Sequence, residues 1–79
     1  MNNNEKLYKS FANALNIDPS LINDDLKYQS IKQWDSISHM MLISYIEEDF
    51  GVSLDTDDVI DMSSVAKARE ILTKHNISF

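Results

Sequence analysis

The chain has one glycine and one proline among its 79 residues, and the glycine stands directly behind its strongest periodic pattern. From Ser36 to Phe50, Leu42, Ile43, Ile46 and Phe50 fall on one side of a wheel turned by about 100° per residue, and Gly51 occupies the place where a helix-ending glycine belongs. So few turn-formers predict a mostly helical molecule. An earlier helix is expected from Leu7, Phe11, Ala14 and Leu15 at three- and four-residue spacing, with Tyr8 beside them and Asn4 as its N-cap. Asp18-Pro19 reads as a cap followed by proline at the first helical position, enough for one short turn bearing Leu21 and Ile22. The connection from Ile17 to Asp35 is too long for a structureless loop in a small domain. It is expected to be ordered, pinned by Leu21, Ile22, Leu26, Ile31 and Trp34.

Beyond Gly51, Asp55 to Asp61 suggests a brief acidic helix with carboxylates in its first turn, where the helix dipole favours them. Ser63 or Ser64 can cap a last helix carrying Val65, Ala68, Ile71 and Leu72, with Lys74 and His75 at its C-terminal end. The expectation is an all-α single domain over residues 1–79, with three longer helices, one short helix and a long ordered first loop.

At this size a chain buries only about 60% of its surface, and small domains often need covalent or metal staples. Without cysteine, disulfides and thiolate zinc sites are excluded, and two histidines 36 positions apart make a poor nucleus for another transition-metal site. No metal is expected, and stability must come from packing. The net charge of −6 is uneven: Asp18 to Asp61 alone carries −9, a field that repels phosphate backbones and attracts basic surfaces. No nucleic acid is expected as a partner. The longest apolar run, Met40 to Ile43, cannot span a bilayer, and the asparagine-rich start lacks the apolar segment of a signal peptide. The expectation is a cytoplasmic protein without membrane insertion.

Asp35, Ser36 and His39 include the side-chain types of a nucleophilic triad, but neighbours at one helix start cannot readily form the relay, and no glycine-rich elbow surrounds them. The acidic run fails as a calcium loop, because Val59 and Ile60 stand where an oxygen ligand and a glycine are required. Ser36 itself reads first as a helix N-cap. A helix N-terminus also suits a phosphodiester through its free N–H groups and dipole. Asp35 would be an unfavourable neighbour for that phosphate and needs another use, such as contact with a basic partner.

At these residues the chain resembles the acyl carrier proteins of fatty acid and polyketide synthesis. The likeness rests on Trp34-Asp35-Ser36-Ile37, on Ile46-Glu47-Glu48-Asp49-Phe50-Gly51-Val52 and on the acidic stretch that follows. It covers nearly the whole chain and is most specific from Asp35 to Leu72. The resemblance implies a small, monomeric four-helix bundle, not itself an enzyme, in which Ser36 receives covalent 4′-phosphopantetheine from coenzyme A through a phosphopantetheinyl transferase. The terminal thiol then holds an acyl group as a thioester, presented to acyl-activating, acyl-transferring or ketosynthase-type enzymes with basic surfaces. Asp35, Ile37, Met40, Met41, Glu47, Glu48, Asp57 and Asp58 are the expected partner-binding residues, and Leu42, Ile46, Phe50, Val65 and Leu72 the expected lining of an acyl space.

Fatty acid carriers typically have leucine after the serine and acids early in the helix; Ile37, Ser38, His39, Met40 and Met41 stand here and point away from general fatty acid synthesis. Fatty acid, polyketide or specialised acyl-transfer pathways are the field, with the departures arguing against a general fatty acid carrier. Ile31-Lys32-Gln33-Trp34 lacks the glycine pair usual in peptidyl carriers, which makes an amino-acyl cargo the lesser alternative. A helical docking protein derived from a carrier is the rival from another class, and retention of Asp35-Ser36 argues against it. Ile37, Met40 and Met41 lie opposite the core face of their helix, so the long connection covers them, or they form a contact surface, or both.

Overall fold

The computed structural model describes residues 2–79, in which α1 spans Asn3–Leu15, α2 Ser36–Phe50, α3 Thr56–Asp61 and α4 Val65–Lys74, with a 3₁₀ turn at Pro19–Leu21. The all-helical class, with three longer helices and one short, matches the sequence expectation. Among the described residues the sole strand-like feature is an isolated antiparallel bridge between Lys27 and Ser64, and no helix is long and apolar enough to cross a membrane.

Each helix starts on a side-chain oxygen that accepts an otherwise orphaned backbone N–H. Asp18 accepts from Ser20 N, Asp55 from Asp58 N and Ser64 from Lys67 N. Two expected caps are corrected. Asn2, not Asn4, caps α1, because Asn3 and Asn4 are recruited into the first turn by distant partners: Asn3 Nδ2 donates to Ser78 O and Asn4 Oδ1 accepts from Arg69 Nε. Asp35, not Ser36, caps α2. Both longer helices before α3 end on a left-handed residue, Asn16 at φ 56° and Gly51 at φ 64°. A Cβ on Gly51 would meet nothing within 4 Å, so the glycine answers to its φ alone.

The core is built from Leu7, Phe11, Ala14 and Leu15 of α1, Leu42, Ile43 and Ile46 of α2, and Val65, Ala68, Ile71 and Leu72 of α4, closed by Ile22, Leu26, Trp34 and Met62. The long connection is therefore ordered as expected, with one exception: Leu21 is 58% exposed and pins nothing. Trp34 is fully buried, its ring edge-on to Phe11 at 5.2 Å. Arg69 secures the middle of the connection by donating to Asp24 Oδ1 at 2.9 Å, an acceptor it shares with the Tyr8 hydroxyl.

A helix of six residues cannot hold itself. α3 is kept by a capping box between Asp55 and Asp58 and by side chains reaching it from both flanks. His75 Nε2 lies 2.8 Å from Asp58 Oδ2 and Lys74 Nζ 3.3 Å from Oδ1, while His39 Nε2 lies 2.9 Å from the Val59 carbonyl. Asp58, expected with Asp57 to face partners, is thus corrected to a buried anchor, because its carboxylate is consumed by the cap and by α4. Asp57 is exposed.

The His75 hydrogen bond, followed by that from Lys74, holds the Asp58 carboxyl below its usual range against the opposing effect of burial. A depressed folded pKa means this stabilisation is present above the unfolded value near 3.9 and is lost as pH falls through the folded one. Asp58→Asn is expected to cost roughly 2 kcal/mol at neutral pH, on the order of 10 °C in melting temperature, and to flatten the wild type's loss of stability as pH falls below about 4. Thermal melts across that range check both.

Candidate functional site

The chain from Lys27 to Asp35 makes two tight turns before α2. Ser30 N donates to Lys27 O, Trp34 N donates to Ile31 O, and Gln29, at φ 63°, closes back with its N–H on Trp34 O at 3.0 Å. Tyr28 N donates to Ser63 O at 2.9 Å, which fastens this segment to the linker between α3 and α4. The result is a short platform ending at Asp35, whose Oδ1 accepts from Ser38 N at 2.9 Å and sets the direction of α2. That bond lowers the Asp35 pKa and answers the question of its use: it is the helix cap.

Ser36 is the first residue of α2, exposed, with its Oγ 3.0 Å from the Tyr28 hydroxyl. Behind it the rings form a stack of contacts. Tyr28 is half-buried, tilted against His39 at 5.2 Å and edge-on to Trp34 at 6.1 Å. Trp34 Nε1 donates to His39 Nδ1 at 2.9 Å. Since Nδ1 accepts, the neutral ring must carry its proton on Nε2, which donates to Val59 O. Both nitrogens of His39 are spent on Trp34 and Val59, and Asp35 is turned to Ser38, so no Asp-His-Ser relay forms. The Ser36 hydroxyl is paired with the Tyr28 phenol and not with a histidine.

Around it lies an apolar surface. Ile37, Met40 and Met41 are 76%, 58% and 48% exposed, so the connection does not cover them; Trp34, which could have done so, is drawn into the core instead. Ile60, beside the carbonyl that His39 holds, is exposed as well. Of the expected acids, Glu48 is exposed, whereas Glu47 is half-buried and accepts from Leu54 N at 2.9 Å, tying down the loop after Gly51. Leu42, Ile46, Val65 and Leu72 have no solvent-exposed surface. Phe50 lies 14 residues from Ser36, about 21 Å along α2, against Phe79 and under the Lys6 ammonium. An open groove of about 270 Å³ next to the platform has a different lining: Tyr28, His39, Val59, Ile60, Met62 and Ser63.

Sequence reasoning thus missed Tyr28 as the partner of the serine hydroxyl, and weighed His39 beside Ser36 without seeing it as the acceptor for Trp34. His39 lies one turn along from Ser36 and five residues from Trp34. That spacing is a signal only once the turn at Trp34 is known.

An exposed primary hydroxyl at a helix start, beside a phenol donor and a groove, is chemically suited to bear a phosphodiester-linked arm. The family model described as "Phosphopantetheine attachment site" matches residues 5–70. A curated relative named "Acyl carrier protein", from Lactobacillus johnsonii (strain CNCM I-12250 / La1 / NCC 533), is 29% identical over 70 residues, covering 89% of this chain and 88% of its own. No solved structure matches significantly. The chain belongs to the phosphopantetheine-bearing acyl carrier proteins, non-catalytic carriers whose prosthetic group is covalent 4′-phosphopantetheine.

The Trp34–His39–Val59 line yields a prediction. His39→Ala leaves an indole N–H and a carbonyl unpaired and is expected to cost on the order of 2 kcal/mol in a denaturant titration. In the wild type, long-range proton–nitrogen correlation spectra should show His39 as the Nε2–H tautomer at neutral pH.

Proposed function

We propose that Ser36 is the attachment residue and that the chain holds acyl intermediates as thioesters for a dedicated set of cytoplasmic biosynthetic enzymes, in fatty acid, polyketide or specialised acyl-transfer pathways. The observation that carries this reading is the exposed Ser36 hydroxyl at the first position of α2. In this reading Ser36 Oγ bonds to phosphorus of coenzyme A as the bond to the adenosine bisphosphate leaving group breaks, and the hydroxyl proton passes to the transferase. Both nitrogens of His39 being engaged, the base for that step comes from the transferase. The bound group supplies a thiol, which a chain without cysteine otherwise lacks.

Partners are read from the surface around Ser36. Ile37, Met40 and Met41 offer an adaptable apolar contact, and Asp35, Glu48 and Asp57 an acidic margin for Arg or Lys on the enzyme. Leu42, Ile46, Val65 and Leu72 line an acyl space in this reading only if the packed helices part.

Ser36→Ala is expected to stay at the mass of the unmodified chain when expressed with a competent transferase, and to melt close to the wild type, since a residue inside the Asp35 cap contributes little to the fold. Full modification of the variant would move the site elsewhere. Met41→Glu should slow acyl transfer with the cognate enzyme at nearly unchanged melting temperature, because its side chain is not part of the core. Equal transfer rates would remove Met41 from the recognition surface.

A further inference from the structure

The Tyr28–Ser36 contact joins two hydroxyls, each able to donate or accept. Esterification of Ser36 removes its proton and turns Oγ into a bridging ester oxygen, a poor acceptor. The charged non-bridging oxygens of the phosphodiester stand two bonds beyond, on the phosphorus. A phenol held at this distance can then only donate, and the charged oxygens are the strong acceptors in reach. The helix start offers less than usual, because the Asp35 carboxylate already takes Ser38 N and sets a negative charge beside the ester. A neutral donor within reach of the ester adds a hydrogen bond that this end of the helix otherwise lacks.

Tyr28 is also held for the task. Its N–H is tied to Ser63 O and its ring is packed against Trp34 and His39, so little ordering remains when the donor is used. The same ring lines the groove shared with Val59, Ile60 and Met62. We propose that Tyr28 is a positioning residue for the prosthetic arm: its hydroxyl donates to the phosphodiester on Ser36 and starts the arm at the mouth of that groove. This rests on Ser36 being the attachment residue.

The test uses the whole chain with and without the arm, as wild type and as Tyr28→Phe, which keeps the ring contacts and removes the donor. Intact mass first establishes loading. In the loaded wild type, the phosphorus resonance is expected to differ from that of loaded Tyr28→Phe, and the methyl groups next to the phosphate should show through-space contacts to the Tyr28 ring. Loading should also raise the wild-type melting temperature by about 4 °C more than it raises that of the variant. Coincident phosphorus resonances and equal melting shifts would overturn the proposal and leave the attachment reading intact. Absence of contacts to the Tyr28 ring overturns it from the wild type alone, whatever the variant does. A wild type that gains no mass removes both.

Discussion

The hydrogen bond from the Trp34 indole to His39 is the constraint on which the Ser36 end of the molecule depends. Trp34 is drawn inward by its apolar area and by Phe11, but a buried indole N–H requires an acceptor. His39 is that acceptor, and its other nitrogen reaches the Val59 carbonyl, so a single imidazole joins the end of the long connection to α2 and to α3. Ser36 lies between Trp34 and His39 in sequence. Its exposure is fixed by neighbours on both sides that are anchored inward.

The same economy governs α3. The two histidines of the chain grip adjacent residues of this short helix, His39 at the Val59 backbone and His75 at the Asp58 side chain. One contact comes from the helix that bears the serine and the other from the end of α4. Because α3 contributes few buried apolar groups, these polar anchors, more than packing, determine where it sits. The wall of the groove formed by Val59 and Ile60 therefore follows from interactions made elsewhere in the bundle.

What could be read in advance was local. Gly51 behind an apolar stripe, Asp18 before Pro19 and a serine before Val65 are signals complete within a few residues, and the helices they bound are found where expected. The asparagine run offered several equivalent caps, and the choice of Asn2 was settled by Arg69, 65 positions from Asn4. Asp58 looked like one more member of an acidic surface because nothing nearby in sequence announces His75. The wheel of α2 placed Ile37, Met40 and Met41 off the core face, yet whether they were covered depended on where Trp34 went, a tertiary question. The pairing of Tyr28 with Ser36 was equally hidden, since it requires the left-handed turn at Gln29 that folds one onto the other.

The fastening of the serine's platform is tested most directly by hydrogen exchange at the Trp34 indole. If Trp34 and His39 hold the platform as described, Nε1–H should exchange as slowly as the Ile46 amide in the buried centre of α2, opening only with the whole bundle. An indole that exchanges at the rate of an exposed one, while Ile46 remains protected, would contradict the account.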